Sequence, residues 1–147
     1  MCSSRRKSSR IAALRLSVTS TVLDASALLA FLNSEPGAEL VRGVLHDAII
    51  SAVNYSGILK KTIERSGSPE RVSDIIRDLA VAIIPFDEAH AAAAARLYPE
   101  AKPHGMSFAD RACLSLGVLR RSPVITAERR MKMVALPIKV KLIRNAH

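Results

Sequence analysis

Three carboxylates, Asp24, Asp110 and Glu128, stand where a short apolar run stops or a helix begins. Asp24 closes "TVLD", Asp110 lies in "MSFADRACLSLG", and Glu128 follows "PVITA". Acids remote in sequence that meet in a fold repel one another unless a cation neutralises them. Mg²⁺ suits such a set, with Mn²⁺ as a substitute, because it takes hard oxygen ligands, keeps several waters and needs only one or two carboxylates. A bound Mg²⁺ activates water and steadies charge building on a phosphoryl group. Each residue also has a structural explanation. Asp24 suits the cap of the following helix, Ser107–Asp110 has the spacing of a capping box, and Thr126 suits a cap with Glu128 in the first turn, where the macrodipole favours an acid. The residues alone leave both explanations open.

Other chemistries find less support. His46, His90, His104 and His147 show no ligand spacing, and the chain has neither a glycine-rich phosphate loop nor a G-x-S-x-G elbow. Ser26 reads as a cap or a support for the Asp24 carboxylate rather than a nucleophile. Cys2 and Cys113 have no paired spacing, so neither a zinc site nor a disulfide framework is indicated, and a reducing cytosol fits. An aromatic share of 3% without Trp argues against stacking bases on an aromatic platform. No apolar run approaches the roughly 20 residues that span a bilayer.

The formal charge of +9 is uneven: residues 1–17 carry +5 with no acid, leaving +4 on the rest. The moderately basic body is consistent with a polyanionic partner. Residues 1–17 read as a basic disordered arm or as upstream sequence from a mis-assigned start, which leaves 18–147 as one domain with its fold starting near Ser20.

Short β-branched runs alternating with helical stretches must position the acids. Strands are expected at 21–24, 47–53, 81–86, 123–127 and 138–143. Helices are expected over "SALLAFL", "GAELVRGVL", 54–64, 68–80, 87–98 and 107–120, with a loop at "PEAKPHGM". The 68–80 helix opens on Ser68 as cap and Pro69 at its first position. This alternation predicts a mostly parallel sheet covered on both faces, whose ligands bind outside the carboxyl ends of the strands. Asp24, Asn54, Gly57, Thr126 and Glu128 fall there, with Asp110 on the helix before the fourth strand. Gly57 is odd: it costs roughly 1 kcal/mol relative to alanine in a helix, yet it lies opposite the apolar stripe of Tyr55, Ile58, Leu59, Thr62 and Ile63.

Four blocks, "TVLDASALLAFLNSEPGAELV", "AIISAVNYSGILKK", "MSFADRACLSLG" and "PVITAERRM", closed by "PIKVKLIR", resemble the PIN-domain family, in particular the VapC-type toxins of bacterial toxin–antitoxin pairs. The resemblance spans residues 20–144. It implies an α/β/α sandwich with a mostly parallel sheet of about five strands, and a Mg²⁺-dependent endoribonuclease acting on tRNA or other structured RNA. It also implies a cytoplasmic homodimer silenced by a cognate VapB-like antitoxin. Carried over, Asp24 and Asp110 match the principal metal-binding aspartates, and Glu128 stands where the family commonly has a further aspartate. Ser26 and Thr126 match the supporting hydroxyls.

Gly57 departs from the pattern, since the family typically has glutamate there. Glu64, on the same helical face, lies about 10.5 Å further along at 1.5 Å per residue and does not easily substitute. Three accounts stay open: a weakened or inactive nuclease, a selected or engineered change that tames a toxic protein, or a site working with three acids and more water. A catalytically dead fold that binds RNA or antitoxin is the rival function. A phosphoacceptor receiver domain fits poorly, because its acidic pair and lysine are not at suitable positions. Lys60, Lys61, Arg111, Arg120, Arg121, Arg129 and Arg130 are candidates for a basic rim.

Overall fold

Short runs of Val, Ile and Leu form the strands of this chain, and their alternation decides which layer each side chain enters. The computed structural model describes residues 20–144; the segment 1–17 discussed above lies outside the described residues. The strands are β1 (Thr21–Leu23), β2 (Ala48–Ser51), β3 (Ala82–Ile84), β4 (Val124–Thr126) and β5 (Val140–Leu142). They form one sheet in the order β3-β2-β1-β4-β5, and every pairing is parallel. The helices are α1 (Ala25–Leu32), α2 (Ala38–Arg42), α3 (Ala52–Glu64), α4 (Pro69–Asp78), α5 (Glu88–Arg96), α6 (Tyr98–Ala101) and α7 (Phe108–Arg120).

Side chains of a strand alternate between its faces, and the core divides accordingly. Leu23, Ile50 and Ile125 join Leu28, Ile58 and Ile76 of α1, α3 and α4 in one layer. Val22, Ile49 and Val124 join Leu114 and Leu116 of α7 in the other. Gly117 allows the close approach of α7: a Cβ there would lie 2.6 Å from Val124 Cγ2 and 2.7 Å from Ile138 Cδ1. Both faces of the parallel sheet are thus covered by helices, giving the α/β/α sandwich expected from the sequence.

Three local expectations need correction. "GAELVRGVL" yields only the five-residue α2, followed by a 3-10 turn at Leu45–Asp47. The expected loop over "PEAKPHGM" is α6 and a 3-10 turn at Lys102–His104; Pro99 and Pro103 sit in first turns, where a missing N–H costs nothing. Ile63 leaves the apolar face of α3 and is exposed.

Candidate functional site

Strand order sets the location of the site. The chain runs outward from β1 to β2 and β3, then returns to the other side of β1 as β4 and β5. The crevice at the carboxyl ends of β1 and β4 is therefore a topological switch point, where open parallel sheets bind ligands. Asp24 follows β1 directly, Thr126 ends β4, and α7 brings Asp110 to the same edge. Asp24, Asp110, Glu128, Asn54 and Gly57 all line one cavity there of about 250 Å³.

Asp24 is buried, and two hydroxyls hold one of its oxygens. Ser26 Oγ donates to Asp24 Oδ2 at 2.7 Å, and Thr126 Oγ1 donates to the same atom at 2.8 Å. Both hydroxyls are oriented by the turn leaving β4: Ser26 Oγ accepts the Ala127 N–H at 2.9 Å, and Thr126 Oγ1 accepts the Glu128 N–H at 2.9 Å. With those acceptor positions filled, each hydroxyl's single proton turns to the carboxylate. The second oxygen, Asp24 Oδ1, meets the Asn54 amide at a long 3.5 Å, and the Ala25 backbone N–H also supports the carboxylate. Asp24 occupies the N-cap position of α1 without a side-chain capping bond, so its structural role is to tie Ser26 and Thr126 together rather than to cap the helix.

Burial pushes the Asp24 carboxyl above its ordinary value of 3.8; the Ser26 and Thr126 hydrogen bonds pull it back, while the nearby Asp110 charge adds to the rise. The charged form is thus held in a place that disfavours it.

For Asp110 the structural explanation is correct and does not displace the functional one. Ser107 and Asp110 form a capping box: Asp110 N donates to Ser107 Oγ at 3.2 Å, and Ser107 N donates to Asp110 Oδ2 at 3.0 Å. The same Oδ2 accepts Arg130 Nε at 2.7 Å, and Oδ1 meets an Arg130 terminal nitrogen at 3.4 Å. Arg130 also pairs with Glu128 at 3.3 Å. Hydrogen bonding to Asp110 strengthens the proton hold of the guanidinium.

Glu128 is half-exposed and turned to Arg130, and among the described residues no three His, Cys, Asp or Glu side chains converge as a metal-holding group. The acids that share one buried place are thus Asp24 and Asp110, with Glu128 at its mouth. Two carboxylates and water suffice for Mg²⁺. Asn54 is buried beside them: its amide nitrogen donates to the Ala109 carbonyl at 3.0 Å and faces Asp24 Oδ1, and its own Oδ1 has no hydrogen-bond partner. Asp24 Oδ1 and Asp110 Oδ1 are hard oxygens that make only long side-chain hydrogen bonds, so this pair suits a hard divalent cation that keeps water in its shell.

Gly57 borders the cavity, and a Cβ built on it meets nothing within 4 Å. No packing reason for glycine exists there. Glu64 lines the mouth of the same cavity, paired with Lys60 at 3.4 Å. Of the candidate basic rim, Lys60, Lys61 and Arg130 line this cavity. Arg111 instead lies over the Tyr98 and Phe108 rings and donates to the Ala94 carbonyl at 2.8 Å. Arg120 and Arg121 lead into the start of β4, the far edge of the sheet. Beside the cavity opens a groove of about 900 Å³ that shares Ser26, Lys61 and Glu128 with it and adds Arg65 and Arg144. The orphaned Asn54 oxygen and the Arg130 pair have no sequence signature beyond position: Asn54 follows β2, and Arg130 follows Glu128 by two residues.

A parallel five-stranded sandwich with acids at its switch point defines a class, and comparison places the chain in it. Residues 21–136 match the PIN domain, and the chain belongs to the PIN-domain family. Its fold is similar to that of FitAcB from Neisseria gonorrhoeae, at 25% identity and a TM-score of 0.60, covering 82% of this chain and 95% of that one. VapBC2 from Rickettsia felis, solved bound to a DNA fragment from its promoter, aligns at 13% identity and a TM-score of 0.67, over 83% of this chain and 97% of that one. VapBC-5 from Mycobacterium tuberculosis, of the VapBC family of toxin–antitoxin systems, aligns at 18% identity and a TM-score of 0.55, over 86% and 98%. No curated protein sequence gives a significant match. The resemblance read from the sequence blocks and the fold agree.

Proposed function

We propose that this chain is the VapC-type toxin of a toxin–antitoxin pair, a divalent-metal endoribonuclease that hydrolyses RNA phosphodiester bonds. The observation that carries the reading is the pair of buried carboxylates, Asp24 and Asp110, lining one cavity at the sheet's switch point, each with one oxygen that makes only a long side-chain hydrogen bond. Asp24 and Asp110 would hold the metal, with Mg²⁺ as the expected ion and Mn²⁺ as its substitute. The bound ion would activate water and offset charge on the phosphoryl oxygens. Ser26 and Thr126 fix the Asp24 carboxylate so that Oδ1 faces the cavity, and the Ser107 cap fixes Asp110. Glu128, which lines the same cavity, would orient or deprotonate a water there.

Lys61 at the rim and Arg65 in the adjoining groove, with Lys60 and Arg144 in pairs with Glu64 and Glu35, are the cations that a phosphate backbone would meet. The same groove suits the antitoxin segment that silences such toxins. Among the described residues no helix is long and apolar enough to cross a membrane. In this reading the toxin acts as a cytoplasmic homodimer on tRNA or another structured RNA. The catalytic unit in this reading is 18–147, with 1–17 appended to it.

Gly57 favours a second reading, a fold that captures RNA or antitoxin without cutting. Purified, antitoxin-free protein incubated with total tRNA and Mg²⁺ or Mn²⁺, alongside Asp110→Asn and Gly57→Glu, separates the two. Metal-dependent fragments that vanish in Asp110→Asn support the nuclease. Absence of cleavage by both the parent and Gly57→Glu, each folded, refutes it for this chain.

A further inference from the structure

Arg130 is a cation that sits on Asp110 and Glu128 in this structure. Its Nε lies 2.7 Å from Asp110 Oδ2, a second nitrogen reaches Oδ1 at 3.4 Å, and a third lies 3.3 Å from Glu128. One guanidinium thus covers two of the three acids. The partners are unequally anchored: the Asp110 side chain is only 6% exposed and that of Arg130 is 40% exposed. Asp110 is fixed by its capping box at the start of α7, whereas Arg130 rides on a four-residue 3-10 turn, Arg129–Lys132. If the contact breaks, the arginine is the partner that moves, and it can do so toward solvent without repacking the core.

A divalent cation bound to Asp110 would lie against the carboxylate that Arg130 now engages. A doubly charged ion and a guanidinium on one carboxylate repel each other strongly in a partly dry site. A buried acid left with no counter-charge would in turn destabilise the fold. An arginine resident in the metal-free state and displaced in the loaded one resolves both.

We propose that Arg130 and the metal exchange on Asp110, and that the displaced guanidinium then binds the phosphate of the RNA beside the acid pair. This rests on the metal reading of Asp24 and Asp110. Arg130 shares the cavity with Lys60 and Lys61, so a short swing brings it among the cations of the rim. Arginine's planar fork suits the second position as well as the first, since it matches carboxylate and phosphate alike.

The test uses full-length protein stripped with EDTA and titrated with MnCl₂ in a calorimeter, comparing the parent with Arg130→Ala, Arg130→Lys and Asp110→Asn. Thermal melts of each protein without metal establish that it is folded. Arg130→Ala is expected to bind Mn²⁺ at least fivefold more tightly, and to gain more melting temperature from Mn²⁺ than the parent does. Arg130→Lys, a point charge without the fork, falls between. Equal or weaker Mn²⁺ binding by Arg130→Ala, while Asp110→Asn loses binding, overturns the exchange but leaves the metal site standing. Mn²⁺ binding unaffected by Asp110→Asn, or absent from every variant, overturns the metal reading itself. At saturating Mn²⁺ a 2′-O-methyl oligoribonucleotide, which resists cleavage, should bind the parent several-fold more tightly than Arg130→Ala. The slope of log affinity against log salt should then differ by about 0.7, the share of one phosphate contact on a single strand. Identical affinities and slopes overturn the phosphate role.

Discussion

Gly57→Glu, judged against Gly57→Ala, tests whether the glycine stands where a functional acid belongs. A Cβ at this position meets nothing within 4 Å, so alanine adds no strain and removes the conformational freedom that glycine loses on folding. The gain is roughly 0.5–1 kcal/mol, or a rise of about 2–5 °C in melting temperature for a domain of this size. Glutamate keeps most of that helix gain but points a charge at the cavity lined by Asp24, Asp110 and Glu128. In EDTA its charge adds to acids already short of counter-ions, so Gly57→Glu should melt below Gly57→Ala. Excess Mn²⁺ reverses the order, because a third strong carboxylate raises affinity. Metal at a hundred times its dissociation constant stabilises the folded state by about 2.7 kcal/mol. A tenfold rise in cleavage rate, about 1.4 kcal/mol in barrier, is the corresponding activity gain. The assay is a matched pair of melts and a Mn²⁺ titration on three proteins. If the glutamate protein melts with the alanine protein in both EDTA and Mn²⁺ and binds the ion no more tightly than the parent, position 57 does not face a metal site. The resemblance-based account of the glycine then fails.

Thr126→Val removes the hydroxyl that donates to Asp24 Oδ2 and accepts the Glu128 N–H; it should cost about 1–3 kcal/mol by denaturant melt and weaken Mn²⁺ binding. Asp24→Asn should stabilise the metal-free protein while abolishing Mn²⁺ binding, a combination that a purely structural aspartate would not give. Because burial raises the Asp24 carboxyl above 3.8 in the fold, the folded state holds that proton more tightly than the unfolded chain. Stability of the parent in EDTA therefore falls as pH climbs from 3.8 through the raised value, and melts of Asp24→Asn across that range should lose this component. Ser107→Ala deletes the hydroxyl that accepts the Asp110 N–H and should cost about 1 kcal/mol, read as a fall of about 3–5 °C in melting temperature.

Sequence periodicity was legible wherever local pattern and burial agree. The five β-branched runs are five parallel strands, trimmed to three or four residues each because only their central residues pair; after β2 the trimmed Ala52 and Val53 open α3 instead. The "PEAKPHGM" stretch was misread for an identifiable reason: two prolines suggest a break, yet each occupies a first helical turn, where proline is tolerated. Ile63 falls on the apolar face by spacing, yet it is the penultimate residue of α3 and is exposed there; spacing alone does not say how far along a helix the burial extends. The acids at the switch point followed from strand order plus the rule for parallel sheets. Their separate states did not. Whether Asp24 Oδ1 is free, whether Asn54 Oδ1 is orphaned and whether Arg130 reaches Asp110 depend on rotamers across elements 20 to 100 residues apart, and no local pattern encodes those.

The structural and functional explanations of the acids, opposed when only the sequence is considered, prove to be different statements about different oxygens. Asp110 Oδ2 is spent on the cap of α7 and on Arg130, and Asp24 Oδ2 on two hydroxyls. Each carboxylate therefore has one oxygen that builds the fold and one left with little to bind. A protein selecting only for stability would do better with apolar side chains or a closed ion pair here, since breaking half of a buried pair is costly. Neutral hydroxyl donors orient Asp24 without cancelling its charge, which is what a site needs if the charge is to be cancelled by something that arrives later. The geometry is thus intelligible as a fold that keeps an anion positioned and incompletely compensated, with Arg130 as the partial compensation that can leave.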